Sequence, residues 1–300
     1  MQGVPMRLLH FFLMSLVLAS CITTLEPNLT FIEKLPSAAQ SKVLWLCDFE
    51  DGSFTKWEGM GPNDANAGGG IFNTDVNNVA YGIENALVHT GRRAAYATIF
   101  KAVSPGSPKA IRFLRWTNKP WYQGGQYFPT EAYYSTFMLV LYPYSPKKDP
   151  KNDPNNDGGW WNIFQFKSSN NAGSHPVVAL DLYNKDNQLY LGLVIKDYPN
   201  NNSSSYTSQY IYANPLKPLK INDWNHIEAY YKKSTNYDGE VKVWLNGTLI
   251  FSKNNIRTML PPDQTVRFGI GNYTDWVTGG PNKGEATLYF DDVIVSEVRM

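Results

Sequence analysis

The stretch Asp223–Phe251, DWNHIEAYYKKSTNYDGEVKVWLNGTLIF, constrains the fold more than any other part of the chain. Ile227, Ala229 and Tyr231 alternate with His226, Glu228 and Tyr230, and a period of two is a strand with one buried face. Val241, Val243 and Leu245 repeat the pattern, with Lys242, Trp244 and Asn246 facing the other way. Asn246-Gly247 then accepts the positive φ angles of a tight hairpin turn, so Thr248–Phe251 begins a returning strand. This argues for a β-sandwich and leaves the reaction open.

Composition agrees. With 43% hydrophobic and only 18% charged residues, 300 residues suit one large all-β domain. Aromatics reach 14%, which fits many strands and a surface for stacking on sugars. The formal charge is +1, and loss of Arg7 with a leader leaves 26 basic against 26 acidic side chains. That balance argues against a nucleic-acid partner, which would call for a strong positive field. An anionic ligand must instead be held by a local basic patch.

Residues 1–20 read as a targeting segment: Arg7 precedes the apolar run Leu8–Leu18, too short to span a bilayer. It ends in Leu18-Ala19-Ser20-Cys21, the pattern of a bacterial lipobox. The expectation is cleavage before Cys21, lipidation of its thiol, and a protein anchored in the cell envelope facing out of the cytoplasm. Residues 21–41 then form a flexible tether and residues 42–300 the domain, expected as a monomer. Cys47 has no intrachain partner left and is expected as a small buried hydrophobe.

The domain opens on Val43–Glu50, a strand whose expected partner is the last one, Ala286–Val295. That pairing would bring Glu50 and Asp51 near Asp291 or Asp292, and converging carboxylates hold Ca²⁺. A structural Ca²⁺ on Glu50, Asp51 and Asp291 is therefore a candidate, as is a looser calcium loop at Asp153–Gly158. No cofactor is expected for the chemistry itself. His89, ahead of a turn, is a candidate base. Arg112 and Arg115 fall on opposite faces of Ile111–Trp116, so only one lines a cleft, and Arg112 is the candidate. In Trp160–Lys167, Phe164 and Phe166 point to the core while Gln165 and Lys167 share the other face. Tyr190 and Lys196 face away from Leu189, Leu191, Leu193 and Ile195. In Val266–Tyr273, Arg267, Gly269, Gly271 and Tyr273 share a face floored by the two glycines. Trp161, Tyr190, Lys196, Trp276 and Arg112 are the candidate glycan contacts.

The Trp224-x-His226 strand with G-x-V-x-V-W-x-N-G resembles concanavalin-A-like jelly rolls, particularly heparin-lyase-like polysaccharide lyases. FEDGSFTKW at Phe49–Trp57 resembles the first strand of many carbohydrate-active jelly rolls. Gln165-Phe166-Lys167 resembles the Q-x-H or Q-x-K strand of those lyases, with Lys where alginate-lyase-like members usually carry His. VRFGIGNY resembles their late strand bearing a catalytic tyrosine, here with one extra residue before Tyr273. The resemblance implies an antiparallel jelly-roll sandwich and β-elimination on a uronic-acid polysaccharide. Gln165 with Arg267 or Lys167 would neutralise the carboxylate, and Tyr273 or His89 would move protons. The alternative is a non-catalytic carbohydrate-binding lipoprotein with the same cleft.

Overall fold

Strands are numbered in chain order. The computed structural model describes residues 29–146, 160–200, 202–263 and 265–300, and its period-two segments form two antiparallel sheets. The first sheet runs β14 (Thr248–Ile256), β13 (Gly239–Leu245), β12 (Trp224–Lys232), β6 (Glu131–Val140), β17 (Ala286–Ser296), β4 (Ala94–Ile99), β3 (Val79–Glu84). β1 (Val43–Cys47) adds to β17 beside this path. The second sheet runs β11 (Thr207–Tyr212), β10 (Gln188–Asp197), β9 (Gly173–Lys185), β8 (Asn162–Asn170), β15 (Arg267–Thr274), β5 (Lys109–Arg115), β2 (Gly69–Asn73). A two-residue ladder joins β7 (Ser145–Pro146) to β16 (Val277–Thr278). The α-helices among the described residues are single turns of four residues.

The hairpin that opened the sequence reading has the expected register. Ile227, Ala229 and Tyr231 lie opposite Leu245, Val243 and Val241, and all six are buried. Asn246 and Gly247 turn the chain with φ of 49° and 76°. Between the sheets, the Phe166 ring stacks on Tyr231 at 3.8 Å and meets Tyr134 edge-on at 5.0 Å. Each such buried aromatic contributes about 1.5–3 kcal/mol by leaving water. One polar strut crosses this core. Trp161 Nε1 donates to Asn272 Oδ1 at 2.8 Å, and Asn272 Nδ2 donates to the Ala97 and Ala286 carbonyls of the first sheet.

First and last strands pair as the sequence suggests, with Cys47 opposite Val293. Cys47 is buried, and burial pushes its thiol up to about 12. The nearby acids are engaged by backbone amides. Glu50 Oε1 accepts the Arg92 and Arg93 amides, each at 2.8 Å, and Asp51 Oδ1 accepts the Ser53 amide at 2.9 Å. Asp291 accepts the His89, Thr90 and Asp292 amides across a bulge in β17. Glu50 and Asp291 thus serve the same His89–Arg93 turn and Asp51 its own, and no group of three His, Cys, Asp or Glu among the described residues is placed to hold a metal. Calcium binding by Glu50, Asp51 and Asp291 stands as a proposal, and a melting temperature lowered by chelation is its test. The Asp153–Gly158 loop and Cys21 lie outside the described residues.

The expected tether is also corrected in its second half. Residues 29–41 fold onto the domain: the Phe31 amide donates to Thr90 Oγ1 at 2.8 Å, and its ring packs edge-on against Phe137 at 5.0 Å. Phe137 and His226 are paired neighbours on the outer face of the first sheet, with rings stacked at 4.5 Å. An apolar ring at position 31 gives the segment something to bury, which a tether lacks.

Candidate active site

A cavity of about 460 Å³ opens on the outer face of the second sheet, opposite the face that carries Phe31. Its floor is built by strand alternation. Gln165 of β8 lies between Gly269 of β15 and Ala179 of β9, and Lys167 lies opposite Arg267. Both glycines of β15 are closely approached, Gly269 by a side-chain tip and Gly271 by backbone. A Cβ on Gly269 would meet Leu114 at 2.4 Å, and one on Gly271 would meet the Ile111 carbonyl oxygen at 2.2 Å.

Two bulges then decide which side chains reach the cavity. On β15, Ile270 faces Phe164 but Tyr273 faces Asn162, so the extra residue of G-I-G-N-Y is absorbed locally. On β8, Asn162 pairs with Asp181 while Phe164 pairs with Leu180, which reverses the alternation at Ile163. Tyr273, Asn162 and Trp160 thereby line the cavity, and Trp161 turns into the core. Trp161, a candidate glycan contact, is thus replaced in the cavity by its neighbour Trp160.

Arg112 of β5 is held between two rings. Its Cζ lies 4.5 Å from the Tyr273 ring centroid and 4.6 Å from that of Phe72. Trp160 meets Tyr273 edge-on at 4.7 Å. Arg115 points the other way and spends its donors on the Thr117, Lys56 and Ala67 carbonyls. Lys196 covers the Tyr206 ring at 4.2 Å, and His175 packs against Tyr198 at 4.8 Å. The cavity thus gathers Arg112, Lys167 and Lys196 against one acid, Asp181. Two donors at its floor are unsatisfied: Gln165, only 2% exposed, has no partner for Nε2, and Arg112 has none for Nε. A buried donor without a partner is costly, and these two retain hydrogen-bonding capacity that no described protein group uses.

Burial and like charge tune the ionisable groups. Lys167 is pushed down to about 8, chiefly by burial and then by Arg112 and Arg267. His175 is lowered by burial, Lys167 and Lys196. Tyr273 is raised by burial, although Arg112 pulls the other way. Asp181 is pushed up to about 6 by burial, against Asn162 and Lys196.

The other sequence candidates lie elsewhere. Arg267 donates to Ser169 Oγ at 2.7 Å and Ser174 Oγ at 3.2 Å, at the margin beside Lys167. His89 sits on the first sheet, stacked on Phe137 at 3.5 Å with Nδ1 2.8 Å from Asp292. Tyr190 is buried at the β9–β10 hairpin, where its hydroxyl donates to Gln188 at 2.7 Å. Trp276 packs under Lys283 in the loop that bridges to Val103. Conversely, Asn162, His175, Asp181, Tyr198, Tyr206 and Tyr210 line the cavity without having been singled out. Asp181 had left a signal, a lone carboxylate inside the apolar run Val177–Leu182.

A family model of polysaccharide lyases matches residues 51–294. The chain belongs to that family. No curated protein sequence matches this lyase-family chain significantly. Among solved structures it is similar to an endo-β-1,4-glucuronan lyase from the fungus Trichoderma reesei, at 14% identity and a TM-score of 0.55. That match covers 85% of this chain and 96% of the fungal one. An alginate lyase from a Chlorella virus matches at 15% identity and a TM-score of 0.44, covering 76% and 99%. One from Aplysia kurodai matches at 13% identity and 0.45, covering 76% and 90%. At such identity the likeness to the fungal enzyme is one of fold, the two-sheet sandwich just described.

Proposed function

We propose that this family member is an active lyase that cleaves a uronic-acid-containing polysaccharide by β-elimination in the cavity of the second sheet. The observation that carries the reading is the pair of unsatisfied donors, Gln165 Nε2 and Arg112 Nε, in a basic cavity beside a buried phenol. A sugar carboxylate would satisfy both. Hydrogen-bonded there, its negative charge is offset and the proton on the adjacent C5 becomes acidic. Lys167 stands where the resembling lyases usually have His, and its depressed amine is the base that takes that proton. The C5–H electrons form the C4–C5 double bond, the C4–O bond breaks, and the leaving glycosidic oxygen receives the Tyr273 phenol proton. No water or oxidant is consumed. Lipidation at Cys21 would hold this activity at the cell envelope.

The unsaturated uronate product absorbs in the near ultraviolet, so one spectrophotometric screen against glucuronan, alginate and pectic chains tests the reading. Tyr273→Phe should lower turnover by about two or more orders of magnitude while preserving binding. Glycan binding without any new absorbance would make the protein a carbohydrate binder instead.

A further inference from the structure

Asp181 is out of place in a site built for polyanions. It is the one acid among the lining residues of a cavity that also presents Arg112, Lys167 and Lys196. It lies in the middle of the floor, between Asn162 of β8 and Gly192 of β10 in the strand register. The residue is 8% exposed, it accepts a hydrogen bond from Asn162 Nδ2 at 3.1 Å, and no described cation pairs with it within 4.0 Å. Lys196, whose charge acts on Asp181, lies over the Tyr206 ring. A carboxylate has about four acceptor positions, so most of its capacity remains open. Beside it, Gly192 leaves the floor low: an added Cβ there would only touch the Tyr183 and Tyr212 rings, at 3.6 Å or more.

A carboxylate so placed attracts neutral donors and repels anions. Vicinal sugar hydroxyls meet the first requirement, and a sulfate ester on the same carbons fails the second. We propose that Asp181 is a specificity-determining residue that accepts free hydroxyls of a sugar in the cleft and rejects chains esterified with sulfate there. The inference rests on the uronan-lyase reading and narrows it to unsulfated chains. Charge, rather than size, does the selecting.

The test is the ratio of kcat/KM on a uronan to that on the same polymer after chemical O-sulfation. Wild type should prefer the unsulfated chain by about 30-fold or more, the fold-change that follows from leaving a buried polar group mispaired. Asp181→Asn, which keeps the shape and removes the charge, should narrow that ratio about tenfold, and Asp181→Glu should keep it. An unchanged ratio in Asp181→Asn would overturn the assignment, because a merely structural role would lower both rates together. The same ratio measured as binding to Tyr273→Phe does not depend on turnover. Discrimination there, with a wild type that cleaves none of the polymers, would sink the elimination reading and leave Asp181 standing. Equal binding of both polymers would overturn the role of Asp181 alone.

Discussion

Burial depresses the Lys167 amine to about 8 and raises the Tyr273 phenol, so the two groups differ in protonation in the direction an elimination needs. The free base of Lys167 grows as pH rises through about 8, while Tyr273 still holds its proton. kcat/KM, which reports the free enzyme, should therefore climb across that window and then level. Lys167→Arg, permanently charged, should be inactive at every pH. A wild-type profile that falls through about 8 would assign Lys167 to holding the carboxylate, because the ammonium would then be the working form. Burial sets the sign of both shifts, and Arg112 adds to it at Lys167 and opposes it at Tyr273. The Arg112 charge disfavours a second cation on Lys167 and, through its 4.5 Å contact, favours electron density on the Tyr273 ring.

At the scale of elements, the paired bulges of β8 and β15 place the site. Gly271→Ala would put a methyl 2.2 Å from the Ile111 carbonyl oxygen and 2.9 Å from the Arg112 Cα, both backbone atoms with little freedom. The variant should lose about 1–3 kcal/mol in a urea titration and lose more activity than stability explains, since Tyr273 and Arg112 shift together. Full activity in a folded Gly271→Ala would show that the bulge is incidental. These bulges also mark where the sequence stops being legible. Alternation alone placed Ile227, Phe166 and Phe268 in the core and Gln165 and Lys167 outside it, because side-chain direction has a strict period of two. One inserted residue reverses that parity, and nothing in Trp160-Trp161-Asn162 announces the insertion, so alternation cannot tell which of the two tryptophans reaches the cavity. His175 and Tyr198 reach the cavity from strand ends, where periodicity carries no information. A second element shows the same physics in acid. His226 of β12 is stacked on Phe137, and burial, then His89 and Arg299, push it down to about 4 from 6.5. Between those values the unfolded chain takes a proton that the folded one refuses, so stability should fall as pH drops from 6.5 to 4. His226→Phe should gain on wild type across that range by about 1–3 kcal/mol, read as a widening gap in urea midpoint. A constant gap would refute it.

For the whole molecule, the two faces of the sandwich have different duties. Phe31 is pinned to the outer face of the first sheet through Thr90 and Phe137, and the cavity opens on the outer face of the second. Eight residues run from Cys21 to Leu29, the first described residue, a reach of at most about 28 Å. A lipid on Cys21 would therefore hold the first sheet toward the bilayer and turn the cavity away from it, toward polymer arriving from outside. Cys21→Ser should leave the membrane fraction. Reconstituted on vesicles, the lipidated protein should match soluble Cys21→Ser in kcat/KM on long uronan as well as on short oligosaccharides, because neither meets the membrane on its way in. A loss confined to long chains on the vesicle-bound form would place the cavity against the bilayer and break the argument. Phe31→Asp sharpens the measurement: it should release the segment from Phe137, lower the melting temperature, and leave kcat/KM on oligosaccharides unchanged, since nothing in the cavity touches that face.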